Sequence, residues 1–97
     1  MTLAEHVFLA IGLNQLAWRV VERHYANPDL HPGARDRSLA RILERTGRIS
    51  EAEEHYQQSI QPGEVDGHLF LGQFYERQRQ VESAIRTYEK AVTSRAR

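Results

Sequence analysis

Residues 3–25 are the most apolar part of the chain. Val7, Phe8, Leu9, Ala10, Ile11 and Leu13 run almost without interruption, and Leu16, Ala17, Trp18, Val20 and Val21 follow. A run of that length predicts helix rather than strand, and a helix apolar on most sides has to be covered on most sides. Gly12 to Asn14 predicts a break or bend, either a turn between two short helices or a glycine inside one helix at a cost of about 1 kcal/mol relative to alanine. From Asn27 to Gly33, two prolines, an Asn-Pro step and a glycine predict a loop.

The texture then changes to narrow apolar stripes. Leu39, Ile42 and Leu43 stand at i, i+3 and i+4, predicting a helix that resumes near Ala34 and ends at Gly47, where positive φ is needed. Ser50 and Glu53 have the spacing of a capping box, which predicts a helix from Ser50 to about Gln61, stopped by Pro62-Gly63. Asp66 is the expected N-cap of a helix over about 66–78 that carries Leu69, Phe70, Leu71, Phe74 and Tyr75. Arg79-Gln80 is the expected turn. A last helix over about 81–94 carries Ala84, Ile85, Tyr88, Ala91 and Val92, with Glu82 and Arg86 as an i,i+4 pair. The tail, Ser94 to Arg97, is short, polar and expected to fray.

These four helices form two copies of one pattern. Leu71-Gly72, Tyr75, Ala84, Tyr88 and Ala91 are preceded, 32 residues earlier, by Leu39-Ala40, Leu43, Ala52, Tyr56 and Ser59. Small residues at Gly72 and Ala84, or Ala40 and Ala52, stand where two antiparallel helices approach to roughly 8–10 Å, with Tyr88 and Tyr56 as large fillers beside them. The pattern resembles the tetratricopeptide repeat, with Leu-Gly and Tyr in the first helix and Ala, an aromatic and Ala in the second. The resemblance covers about residues 33–97. It implies an all-α fold: antiparallel helix-turn-helix repeats stacked as a short right-handed α-solenoid. The chain then reads as a single domain over 1–97, with repeats at 33–64 and 65–97. The segment at 3–25 is a candidate degenerate repeat, in which Leu13 to Trp18 resembles a first helix. There are departures from the family pattern. The spacing is 32 where the family favours 34, Arg79 stands where Gly47 stands in the first copy, and the family's proline after the second helix is Glu64 and Ala96 here.

Composition narrows the function. The chain has 97 residues with 13 Lys+Arg and 13 Asp+Glu, a formal net charge of zero. A dedicated nucleic-acid binder would carry a basic excess, so no nucleic-acid partner is expected. Absence of cysteine excludes disulfides and thiolate metal sites and fits a reducing, cytoplasmic setting. No stretch has the roughly 18 consecutive apolar residues of a membrane span, and no secretory signal pattern stands at the start.

Chemistry-bearing constellations are few. The five histidines, His6, His24, His31, His55 and His68, form no metal-ligand spacing, and Glu51 with His55 reads as a surface contact. No nucleophile–base order or phosphate loop stands out, so no enzyme and no cofactor are expected. The resemblance implies a partner segment bound on the concave face. Residue by residue, that face is Arg37, Arg41, Glu44 and Arg45 in the first copy and Leu69, Gln73, Glu76 and Arg77 in the second. Guanidinium groups there suit an acidic protein or peptide segment, because they bind carboxylates as bidentate forks; the alternative is a solvated helix face. The family's clamp for a chaperone C-terminal carboxylate is not implied, because Arg41 stands in its Asn place.

Phe70 and Phe74, with Phe8, Ile11 and Trp18, read as a stacking or oligomer edge; the alternative is packing within the chain. Two repeats without a polar capping helix leave an end uncovered. That end is covered by a second copy or continued in a longer parent protein. The function expected is a non-catalytic interaction or scaffold module. A self-assembling homo-oligomeric unit and a small chaperone holding a client segment for secretion are the alternatives.

Overall fold

A computed structural model describes residues 15–26 and 33–96, which are helical throughout apart from turns. Helix α1 is helical over residues 15–24. It is followed by α2 (Ala34–Arg45), α3 (Ile49–Gln58), α4 (Asp66–Arg77) and α5 (Val81–Ala96). Helix α2 pairs with α3 and α4 with α5, and α3 packs on α4 to join the two hairpins. Among the described residues there is no strand. Phe8, Ile11 and the bend expected at Gly12–Asn14 lie outside the described residues, as does the loop from Asn27 to Pro32.

The core is the repeated set of small and large apolar residues. Leu39, Ala40, Leu43, Ala52 and Tyr56 from the first hairpin and Leu71, Phe74, Tyr75 and Ala84 from the second are all buried. Ala40 and Ala52 have no exposed surface at all, as the close approach of α2 and α3 requires. In the second hairpin the Tyr88 ring lies so close over Gly72 that a β-carbon there would collide with it. Trp18 of α1 packs against the same core, so α1 covers the leading edge of the first hairpin.

Both hairpin turns are built alike. At the end of α2, Gly47 N–H bonds Glu44 O (3.1 Å) and Arg48 N–H bonds Leu43 O (2.9 Å). At the end of α4, Arg79 N–H bonds Glu76 O (3.0 Å) and Gln80 N–H bonds Tyr75 O (2.9 Å). This is the αL helix end expected of glycine. Gly47 has φ 82°, and Arg79 takes the same region with φ 59°.

Helix starts differ from the expectation. The Ser50/Glu53 capping box does not form: α3 begins at Ile49, its N-cap is Arg48, and no side chain caps it. Arg48 forks onto Glu51 instead, at 2.9 and 2.6 Å. That pair places a carboxylate in the first turn, where the helix dipole favours it. Asp66 is the first residue of α4 rather than its cap, which is Val65. Helix α3 ends at Gln58, short of Gln61, and the buried Ser59 closes it by donating to Tyr56 O (2.6 Å). The chain has to leave the helix there, because Ile60 turns under Gly67 at the start of α4. Glu82 and Arg86 do not pair; Arg86 donates to Ser83 Oγ at 3.3 Å.

Candidate functional site

Helices α2 and α4 put Glu44 and Arg77 side by side across the junction between the hairpins. Arg77 grips both carboxylate oxygens, Nε to Oε2 at 2.7 Å and Nη2 to Oε1 at 2.8 Å. The Tyr56 hydroxyl of α3 donates to Glu44 Oε1 (3.2 Å) and accepts from Arg77 Nη2 (3.3 Å). Gln78 Nε2 reaches Glu44 Oε2 at 3.5 Å. The Glu44 side chain is only 14% exposed. Its pKa is held below the ordinary carboxylate value, first by the hydrogen bond from Arg77 and then by that residue's charge, against the opposing effect of burial. Arg77 is held more firmly protonated by the same contact. Tyr56 is pushed up, by burial first and by the Glu44 charge second. Two residues of the expected partner-binding stripe therefore satisfy each other.

The remaining arginines of the stripe sit differently. Arg37 lies with its guanidinium carbon 4.9 Å from the centre of the Phe70 ring, a cation–π geometry. Its Nη1 is buried and has no hydrogen-bond acceptor among the described residues. Arg41 and Arg45 are exposed, and neither has a carboxylate within ion-pair distance among the described residues. All three lie on one face of α2, spaced four residues apart. Along that face runs a groove of about 410 Å³, with Val21 of α1 and Tyr25 just after it on one wall and Phe70 of α4 on the other. A second depression, of about 390 Å³, continues it between Arg41, Arg45, Glu44 and Arg77. The combined floor holds four guanidinium groups against one carboxylate. Leu69 and Gln73 are exposed on α4 but line neither depression.

Trp18, Phe70 and Phe74, the described residues of the expected stacking edge, pack within the chain. Phe74 is 1% exposed and packs on Tyr56, ring centres 5.1 Å apart, and on Tyr75 at 5.5 Å. In this chain it packs one repeat on the other, with little surface left exposed. Phe70 is half-buried beneath Arg37. Trp18 stands edge-on to His55, ring centres 6.0 Å apart.

His55 bonds Asp36, not Glu51, at 3.0 Å. No group of three or more His, Asp or Glu able to hold a metal occurs among the described residues. The Glu44–Tyr56–Arg77 cluster was not anticipated, although a signal for it exists: Glu-Arg recurs at 44–45 and 76–77, and Tyr at 56 and 88.

No described helix is long and apolar enough to cross a membrane. The sequence profile of the tetratricopeptide repeat matches residues 37–63 and 68–97. No curated protein and no solved structure matches the chain.

Proposed function

The chain belongs to the tetratricopeptide repeat family, whose members are generally non-catalytic protein–protein interaction modules, and on that premise we propose that it binds an acidic protein segment in the groove along α2. The observation that carries this reading is the row Arg37, Arg41 and Arg45, a cationic face on which none of the three pairs with a carboxylate among the described residues. Arg45 is the first-repeat counterpart of Arg77, 32 residues earlier. Arg77 finds Glu44 in the preceding repeat, whereas Arg45 has no such carboxylate within reach among the described residues.

A ligand carboxylate suits these groups as Glu44 suits Arg77, through a bidentate fork. The apolar walls, Val21, Tyr25 and Phe70, suit aliphatic side chains between the acidic ones. A segment lying in a groove between helices gains affinity from both. A small chaperone would hold its client in the same place. The proposed setting is cytoplasmic, which a cysteine-free chain fits.

Fluorescence anisotropy with a labelled peptide of alternating Glu and Leu tests the reading, with the Lys-Leu peptide as control. Binding of the acidic peptide alone, weakening as salt rises, is the expected result. Equal binding of both peptides, or of neither, contradicts it.

A further inference from the structure

The second repeat ends with one half of the junction that joins the first repeat to it. In the first repeat, the positions that receive α4 are Ile49, Glu53, Tyr56 and Ile60. Ile60 lies against Gly67, Tyr56 stacks on Phe74, Glu53 lies near enough to help raise the Tyr75 phenol, after burial, and Ile49 packs on the shared core. Their counterparts, 32 residues on, are Val81, Ile85, Tyr88 and Val92. Three of these are open to solvent: Val81 is 62% exposed, Ile85 51% and Val92 70%. The polar pair recurs too. Glu76 is the counterpart of Glu44 and Tyr88 of Tyr56, and the Glu76 carboxylate lies near enough to help raise the Tyr88 phenol, after burial. Among the described residues no helix supplies an arginine to that carboxylate or apolar side chains to that stripe.

The opposite end of the described chain presents such a helix. Leu16 and Val20 of α1 are 58% and 65% exposed. With Arg19 and Arg23 they occupy positions i, i+3, i+4 and i+7, a single helix face. The opposite side of α1 is already used: Trp18 packs on the core, and Ala17 and Val21 line the groove. One end thus offers apolar side chains with two arginines, and the other offers apolar side chains with a carboxylate and a phenol.

We propose that the chain self-associates head to tail, the outer face of α1 in one copy docking on the α4–α5 edge of the next, with Arg19 or Arg23 on Glu76 as Arg77 is on Glu44. Such a contact joins two different surfaces, so it extends into chains or closes into a ring rather than stopping at a two-fold dimer. It leaves the groove along α2 outside the contact and is independent of the peptide-binding reading.

Sedimentation velocity over a range of concentrations tests it with two variants. Glu76→Lys spoils the tail and keeps the head; Arg19→Glu with Arg23→Glu spoils the head and keeps the tail. Each alone is expected to associate at least about tenfold more weakly than the parent. An equimolar mixture is expected to regain association, because the intact head meets the intact tail and the two charge reversals complement each other. Circular dichroism checks that each variant is folded, and Ile85→Lys, at an exposed position, replaces Glu76→Lys if that variant unfolds. A parent that stays monomeric at every concentration overturns the proposal. So does undiminished association of the Arg19→Glu/Arg23→Glu variant, which would mark pairing of two α5 faces, and so does a mixture that fails to pair.

Discussion

Arg77 holds both oxygens of Glu44, 33 residues away in the preceding repeat, at 2.7 and 2.8 Å. Tyr56 closes the arrangement from α3. The contact ties three helices and fixes how one hairpin sits on the next. Because Glu44 is largely covered, the pair is worth more than a surface salt bridge. Because Arg77 is 48% exposed, it is worth less than a buried one. We expect Glu44→Gln to cost about 1 kcal/mol, the upper end of what exposed pairs give. In a double-mutant cycle, Glu44→Gln and Arg77→Gln should be strongly non-additive.

The same carboxylate sets an acid limit. Its folded pKa lies below the ordinary value of 4.5. The unfolded chain therefore takes up the proton first as pH falls. The stabilisation from Glu44 is fully present above about pH 4.5 and is lost as pH drops through the folded value. Thermal melts should show the parent losing stability more steeply than Glu44→Gln below that pH. Parallel curves would show that the pair contributes nothing.

Arg79 carries φ 59° at the position where Gly47 serves the first turn. A side chain in that region costs roughly 1 kcal/mol, which glycine avoids. Arg79→Gly is expected to raise the melting temperature by about 4–8 °C, the shift that 1 kcal/mol gives in a domain of this size. Gly47→Arg should lower it by a similar amount.

The two copies of the repeat were legible because their helices are local and their small and large apolar residues recur at one spacing. Leu39, Ala40, Ala52 and Tyr56, and their later counterparts, required nothing beyond the chain itself. The capping residues were not legible in the same way. Ser50 and Glu53 have capping spacing, but Arg48 and Glu51 make a nearer pair, and the helix starts one residue earlier. The charged stripe was legible as a stripe but not as a site. Only the packing of α4 against α3 shows that Glu44 and Arg77 satisfy each other while Arg41 and Arg45 remain open. Phe74 was ambiguous for the same reason: an aromatic at a repeat junction looks alike in sequence whether its neighbour is its own chain or another.

A β-carbon on Gly67 would stand 2.7 Å from Ile60 Cα, a backbone atom that cannot turn aside. Alanine is otherwise the better helix former, so Gly67→Ala separates crowding from propensity. Crowding should win, since forcing an atom into a filled junction costs about 1–3 kcal/mol. A lower denaturation midpoint is the expected reading; a raised one would mean that the turn into α4 relaxes freely.

The most direct measurement is the affinity of the Glu-Leu peptide for the parent and for Arg41→Glu with Arg45→Glu. Both arginines are exposed, and neither is part of the Glu44–Arg77 contact, so the variant should keep the parent's circular dichroism and melting temperature. The account predicts that the acidic peptide no longer binds, while Arg86→Glu, on the far helix, leaves affinity unchanged. Undiminished binding by the folded double variant would contradict it.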